Sequence, residues 1–164
     1  ELEDANIGGW AFSIDSFQLH FLSNHLVGAG FNGLIHVPIF KADCGGSIVD
    51  FDIEEEDCFE YGAQFVNGDE IQFSISPKSQ MCVPLWSAKM VLDSNTVVNL
   101  RKSPDDFFLE AILYGEIDFN NPTVTVQDTV RFENVRLRNK APYFSVGNWD
   151  IPDIPVEIGP FKLQ

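Results

Sequence analysis

Apolar residues occupy alternate positions along much of the chain, most clearly between residues 59 and 75 and also in 12–14, 31–39 and 49–53. Successive side chains of a β-strand point to opposite faces, so a period of two indicates half-buried strands, whereas a helix has a period near 3.6. Further strands are predicted near residues 86–92, 96–101, 124–132, 135–139 and 155–163. About ten short strands predict an all-β fold, namely a two-sheet antiparallel β-sandwich of jelly-roll type with at most one short helix.

The strands on either side of Asn67-Gly68-Asp69 also predict their own register. Both apolar sets can point into one core only if Phe65 lies opposite Ile71, which makes the loop three residues long. A slip by one residue would place Phe65 opposite Glu70 and turn one apolar set toward water.

In two stretches the pattern does not decide between a strand and a helix. Residues 16–27 could hold one short helix, and their pattern does not decide. Residues 103–106, Ser-Pro-Asp-Asp, have the composition of a helix start, with Gly115 as a possible end. The same four residues also suit a type I turn. The alternation that follows favours a strand, not a helix, at residues 104–114.

Residues 28–33, "GAGFNG", match the glycine pattern of a dinucleotide-binding turn. That site requires a helix directly after the glycines, so that the helix N-terminus can hold the pyrophosphate. The following "LIHVPIF" is β-branched and contains Pro38, which predicts a strand. We therefore expect a glycine-rich turn between strands.

The length of 164 residues is that of one domain, and the net charge is −15 at pH 7. Such a charge repels phosphates, so nucleic acid and anionic membrane surfaces are not expected as partners. The chain has no apolar run near 18 residues, and we expect no membrane insertion. Because it begins at Glu1 without Met, we expect a single domain over residues 1–164 that was processed or excised from a longer protein.

Three cysteines, Cys44, Cys58 and Cys82, allow at most one disulfide and have no metal-binding spacing. We expect buried thiols. A Cys58–Cys82 bond is the easier pairing if the chain folds back after Ser76, and a Cys44–Cys58 bond is disfavoured by the strand between them. No HExxH or GxSxG motif occurs, and carboxylate pairs are too frequent in this chain to indicate catalysis, so we predict no catalytic residue.

The acidic run of residues 50–60, "DFDIEEEDCFE", is the first candidate cation site. Its alternation predicts a solvated strand for residues 50–54, and charges on a strand discourage pairing with other chains. Where that strand ends, Glu55, Glu56 and Asp57 could converge on Ca²⁺, and Asp118 and Asn120 form a second oxygen-rich loop. We expect that no cofactor is required. Ca²⁺ is the cofactor that these acidic loops could bind.

A basic and aromatic region follows near the C-terminus. Arg136, Arg138 and Lys140 share a strand face, and they either pair with the acidic face of residues 50–54 or form a site for an anionic ligand or partner. The aromatic rings of Tyr143 and Trp149 follow among Pro, Gly and Asn, and flat rings with polar neighbours suit sugars and protein partners alike.

We predict a non-catalytic extracellular or cell-surface binding module, with carbohydrate as the first ligand class. The predicted ligand-binding residues are Trp149, Tyr143, Asn148, Asp150 and Arg138. The alternative is a structural or interaction domain that stacks with neighbouring domains or copies in a larger surface assembly, so the partner is a carbohydrate or another protein domain. A carbohydrate hydrolase or lyase comes third.

Overall fold

A computed structural model describes residues 10–42, 55–66, 69–85, 88–119, 129–150, 156–158 and 161–163. These residues form fourteen β-strands and one 3-10 turn at Glu55–Asp57. The strands are β1 Ala11–Phe12, β2 Ser16–Leu22, β3 His25–His36, β4 Cys58–Val66, β5 Glu70–Pro77, β6 Met81–Leu85, β7 Ala88–Leu92, β8 Val97–Lys102, β9 Phe107–Phe119, β10 Thr129–Arg138, β11 Phe144–Ser145, β12 Asn148–Asp150, β13 Val156–Ile158 and β14 Phe161–Leu163.

The first twelve strands form one antiparallel sheet, and β13 and β14 form a separate hairpin. The all-β class expected from the alternation is confirmed, and the described residues contain no α-helix. Because hydrogen bonds join all twelve strands into one sheet, the pairing by itself does not show the two separate sheets of a sandwich.

Strand order through the sheet is β1-β3-β4-β5-β8-β9-β10-β11. Three strands each carry two shorter partners in succession along one edge: β3 pairs with β1 and β2, β9 with β8 and β7, and β10 with β11 and β12. The second partner on β9 begins at Gly115, where an added Cβ would lie 1.9 Å from the Val91 carbonyl oxygen. A side chain at residue 115 would therefore prevent β7 from pairing with β9.

The apolar core lies at one end of the sheet. An antiparallel bridge between Lys41 and Cys82 joins the segment after β3 to β6, and the β6–β7 hairpin packs there against β4 and β10. The buried cluster consists of Phe59, Met81, Leu92, Phe132 and Val135. Each large apolar side chain buried in this way contributes about 1.5–3 kcal/mol.

The predicted register of β4 and β5 is confirmed. Phe65 lies opposite Ile71 and Val66 opposite Glu70, which leaves the three-residue loop 67–69 between the strands. Tyr61 and Phe73 stack with ring centroids 6.0 Å apart, as expected for aromatic residues on one face of neighbouring strands.

Both ambiguous stretches form strands. Residues 16–27 build the β2–β3 hairpin rather than a short helix, with Leu22 opposite His25 and a turn at Ser23 and Asn24. Both turn residues have positive φ, 48° and 66°, as a two-residue hairpin turn requires. Residues 107–119 form β9, which confirms the strand predicted there, and the Ser103 amide donates to the Asp106 carbonyl at 2.8 Å in the preceding turn.

Other boundaries differ from the predicted ones. The glycines of residues 28–33 lie inside β3, not in a turn, because each of them pairs with a residue of β4. The described parts of the strands expected at 124–132 and 135–139 are one strand, β10, interrupted by a bulge where Asn134 adopts a φ of 57°; residues 124–128 lie outside the described residues. The single strand expected at 155–163 is the β13–β14 hairpin. The acidic strand predicted at residues 50–54 lies outside the described residues.

The cysteines correct a further expectation. Cys58 is a buried thiol, as expected, but Cys82 is disulfide-bonded, so a Cys58–Cys82 bond is wrong and so is a thiol at Cys82. Cys82 pairs through its backbone with Lys41, a contact between distant segments that spacing along the chain does not reveal. Cys44 lies outside the described residues.

Candidate functional site

The centre of the sheet has one polar and one apolar face. Residues paired across strands share a face, and neighbours along a strand alternate. The polar face consists of Ser16, Gln18, Asn32, Gln64, Gln72, Ser74, Asn99 and Arg101. The apolar face consists of Phe17, Leu19, Phe31, Phe65, Ile71, Phe73, Leu100 and Leu109.

A groove of about 540 Å³ lies on the polar face, and we call it the polar groove. Its walls are two rows of side chains that cross the strands from β2 to β9, so it spans roughly 24 Å at the usual strand spacing. The first row is Ser16, Asn32, Gly62, Ser74 and Asn99, and the second is Gln18, Gly30, Gln64, Gln72, Arg101 and Phe108. Alternate residues of a strand are about 6.6 Å apart, which makes the groove a narrow slot across the strands.

Two glycines deepen the slot. Gly30 stands between Gln18 and Gln64 in the second row, and Gly62 stands between Asn32 and Ser74 in the first. Neither glycine places a side chain over the floor of the polar groove. The two rows therefore have gaps through which a ligand can approach the backbone of the sheet.

The polar side chains are largely available to a ligand. Within the described residues, the Ser16 hydroxyl donates to Asn32 Oδ1 at 2.9 Å and Gln72 Nε2 donates to Glu70 Oε1 at 2.8 Å. The side chains of Gln18, Gln64, Ser74 and Asn99 make no hydrogen bond to any part of the chain that the structure describes. An amide or hydroxyl group can both donate and accept, so these groups match partners that do the same.

A second pocket of about 360 Å³ continues the polar groove toward β1 and shares Asn32, Gly62 and Ser74 with it. Its distinctive side chains are the carboxylates of Asp15 and Glu60. Tyr61 borders this pocket and donates from its hydroxyl to the Ser13 carbonyl at 2.7 Å. Burial, with a smaller effect from the Asp15 charge, raises the pKa of Tyr61.

An ion-paired cluster lies beyond Asn99 in the same cross-strand row. Glu110 pairs in register with both Asn99 and Arg138, and its Oε1 accepts from Arg138 Nε at 2.6 Å. Arg136 Nη1 lies 3.6 Å from the same oxygen. Lys140 pairs with Asp106. The basic residues of this region thus pair with acids of β9 and its preceding turn. The predicted partners, residues 50–54, lie outside the described residues.

The predicted sugar-binding residues lie along β10, β11 and β12. The Arg138 amide donates to the Tyr143 carbonyl at 2.8 Å, so these two residues are adjacent, and the Tyr143 side chain is exposed. Asn148, Trp149 and Asp150 pair in register with Glu133, Phe132 and Arg131. Those positions are five to seven residues from Arg138 along β10, roughly 15–20 Å away, so the five residues form two groups.

Of the four predicted calcium ligands that the structure describes, three have side chains engaged with other groups. Glu55 pairs with Lys78, which raises the pKa of that lysine through their hydrogen bond. Asp57 is buried, accepts from the Ala42 amide at 2.7 Å and lies 3.6 Å from Lys41 Nζ. The remaining predicted ligands are arranged as follows: Glu56 is exposed, Asp118 accepts from the Thr129 hydroxyl and pairs with Lys89, and Asn120 lies outside the described residues. No group of three or more His, Cys, Asp or Glu side chains suited to a metal occurs in the described segments.

Cys58 and His36 pair across β3 and β4 and are both buried. A nucleophilic cysteine needs a lowered pKa and access to substrate. Burial, with the Asp57 charge as a smaller cause, instead raises the pKa of the Cys58 thiol. The pair is therefore suited to packing and not to nucleophilic catalysis.

The polar groove was not foreseen from the sequence. Its two rows consist of Phe108 and of alternate positions of five strands, which are polar apart from two glycines. Each polar position alone is typical of the solvent-facing side of a strand. The usable signal was the absence of charge in "SFQLH", "GAQF" and "IQFSIS" within a strongly acidic chain.

Comparison with protein-family models, with curated proteins and with solved structures finds no match to this chain. Among the described residues, no helix has the length and apolar character needed to cross a membrane.

Proposed function

We propose that this domain is a non-catalytic binding module whose polar groove binds carbohydrate. The observation that carries the proposal is the slot itself, in which amide and hydroxyl side chains from several strands form two parallel rows. Most of these side chains have no hydrogen-bond partner in the part of the chain that the structure describes. An elongated, hydroxyl-rich ligand laid across the strands would meet donors and acceptors along its whole length.

The chemistry of the lining supports a sugar over a peptide or a lipid. Neutral amides pair with hydroxyl groups without the desolvation cost that a buried charge would add. A peptide would be held more readily by an open strand edge and a lipid by an apolar pocket. Phe108, at one end of the second row, offers a flat ring to the apolar face of a sugar.

The predicted residues Tyr143, Arg138, Asn148, Trp149 and Asp150 stay a second proposed surface, divided into the two groups described above. An extracellular or cell-surface location is also proposed, and the disulfide at Cys82 supports it because such bonds persist in oxidising compartments. Ca²⁺ at Glu55, Glu56 and Asp57, or at Asp118 and Asn120, remains a proposal with a direct test.

A glycan array probed with and without EDTA tests the function. We expect binding to at least one class of oligosaccharide, and the Gln64→Ala, Asn99→Ala double variant should weaken it by roughly tenfold or more, because each lost hydrogen bond contributes about 1 kcal/mol. Gln80→Ala, an exposed amide outside the polar groove, is the matched control and should bind as the unmodified chain does. An array without signal in either condition would overturn the proposal.

A second function, an interaction domain that packs against neighbouring copies or domains, is favoured by the apolar face. Phe17 and Leu19 of β2 belong to the apolar face, yet their side chains are 64% and 47% exposed to solvent. Exposed apolar patches of this kind mark protein interfaces. Association should appear as a concentration-dependent mass in sedimentation velocity, and Phe17→Ser should reduce it more than Gln18→Ser, its neighbour on the opposite face. Equal behaviour of the two variants would exclude this face as the contact.

A further inference from the structure

The polar groove differs in charge from the rest of the molecule. The chain contains 25 acidic residues against 10 basic ones, yet no Asp or Glu is among the 15 described residues that line the polar groove. Among these residues, Arg101 has the one charged side chain. The local charge of the slot is therefore positive in a protein of strongly negative net charge.

Arg101 also differs from the other arginines. The structure describes all four arginines of the chain, and three of them, Arg131, Arg136 and Arg138, form ion pairs with Glu116 or Glu110. Arg101 is exposed and forms no ion pair within the described segments. A guanidinium group left without a carboxylate in an acidic protein is available for an anion from outside, and its planar donors suit a carboxylate or a sulfate.

The register places Arg101 between Gln72 and Phe108 in the second row. A sugar ring packed on Phe108 would bring a substituent within reach of the guanidinium, while the amides of Gln72 and Gln64 would meet the next hydroxyl groups. The same residues thus bind both the anionic group and the polymer that carries it.

Two acids outside the lining oppose long-range attraction of an anion. Glu70 accepts a hydrogen bond from the Gln72 amide. Asp106 lies close enough to Arg101 for the arginine charge to contribute to the lowered pKa of the Asp106 carboxyl, although the hydrogen bond from Lys140 is the main cause. The attraction at Arg101 must therefore be direct and short-ranged. Salt should weaken it only modestly compared with a site that gathers anions over a distance.

We infer that the ligand of the polar groove is an acidic glycan whose anionic group, a carboxylate or a sulfate, docks on Arg101. This inference rests on the proposed function and specifies its ligand class. It predicts that a neutral glycan of the same backbone binds more weakly, because Arg101 then loses its charged partner while the amide rows keep theirs.

Isothermal titration calorimetry with three probes tests the inference: an oligogalacturonate, its carboxyl-reduced neutral counterpart and a sulfated galactan oligosaccharide of equal length. We expect the unmodified chain to bind an acidic probe about 10- to 100-fold more tightly than the neutral one, as for a hydrogen-bonded charge. Comparison of the carboxylate and sulfate probes identifies the anionic group. This arm needs no variant and so does not depend on how a variant folds.

Arg101→Gln should remove the preference for the acidic probe. Lys102→Gln is a closely matched control, because Lys102 is the next residue of β8, carries the same charge, is also exposed and lies on the apolar face. This variant should bind each probe with an affinity within about twofold of that of the unmodified chain, because salt screens a surface charge that lies away from the groove. Equal affinity for neutral and acidic probes, or equal effects of the two variants, would overturn the acidic-glycan inference and leave carbohydrate binding intact. Absence of binding to all three probes and to the glycan array would overturn both.

Discussion

Gly33 lies where the segment between β1 and β2 approaches β3 most closely. The Ser13 amide donates to the Leu34 carbonyl at 2.8 Å, and the Ser13 hydroxyl accepts from the Leu34 amide at 3.0 Å. Tyr61 fixes the same point through the Ser13 carbonyl. A single residue without a side chain thus permits the two Ser13–Leu34 hydrogen bonds, which continue the pairing of β3 between β1 and β2, and the third from Tyr61.

Gly33→Ala should destabilise the fold by about 1–3 kcal/mol, the usual cost of an overpacked site. An added Cβ would lie 2.0 Å from the Ser13 carbonyl oxygen, which is backbone and cannot rotate away. Gly62→Ala is the control on the neighbouring strand, since its Cβ would meet only the Ser74 hydroxyl at 3.6 Å. Urea unfolding measures both, and a similar stability for the two variants would contradict the close crossing.

The Cys58 thiol should be protected from alkylation in the folded protein, because it is buried and its pKa is raised. Iodoacetamide should alkylate Cys58 in denaturant, as peptide mapping would show, whereas Cys82 should react only after reduction.

The raised pKa of Cys58 also predicts how stability depends on pH. The folded pKa lies above the unfolded pKa near 8.5, so the contribution of the thiol to stability is complete below that pH and is lost as pH rises toward the folded pKa. Cys58→Ala should flatten this alkaline decline, and rapid native labelling would contradict the burial.

At the scale of elements, the described parts of β9 and β10 carry cross-strand ion pairs in different surroundings. The side chains of Glu110 and Arg138 are 14% and 20% exposed, whereas those of Glu116 and Arg131 are 31% and 73% exposed. Exposed pairs contribute little, because water and salt screen them, while partly buried pairs leave a costly unpaired charge when one partner is removed. The Glu110 pair therefore does more to hold β10 in register.

Glu110→Gln should lower the free energy of unfolding by about 1–3 kcal/mol, a figure reduced from that of a fully buried pair because Arg136 and Arg138 keep some access to water. Glu116→Gln, the equivalent change in the same two strands, should cost about 0–1 kcal/mol. Thermal and urea unfolding of both variants give the comparison. A larger effect at Glu116 would show that exposure does not rank these pairs.

At the scale of the whole molecule, the net charge of −15 means that the folded chain repels itself. Salt shortens the range of this repulsion, from about 30 Å at 0.01 M to about 8 Å at physiological ionic strength. The compact state gains more from screening than the extended unfolded state does, because its charges are closer together.

The melting temperature should therefore rise between 0.02 M and 0.5 M NaCl, and KCl at equal ionic strength should give the same rise. Millimolar CaCl₂ matched in ionic strength separates screening from a calcium site. An additional increase that EDTA reverses would support Ca²⁺ binding, and equal curves for all three salts would argue against it. A fall in melting temperature with NaCl would contradict the repulsion.

The sequence by itself determined the class of fold and the local pairing. Alternation indicated strands over 59–65, 71–75 and 107–119, and it fixed Phe65 opposite Ile71, because the period of side-chain direction is a property of the strand and needs no distant contact. It did not separate a hairpin from a helix at residues 16–27. There the turn depends on positive φ at Ser23 and Asn24, which neither residue type requires.

Only the tertiary structure decided which distant strands meet, and with them the candidate site. The polar groove takes residues from β2 through β9, from Ser16 to Phe108, and no segment of the sequence contains more than a few of them. Pairing of β5 with β8 aligns Gln72 with Arg101, and nothing within either strand specifies the other. Side-chain period is set locally, whereas the neighbours of a strand are set by packing of the whole sheet, so the sequence predicted polar positions and the fold made them into a groove.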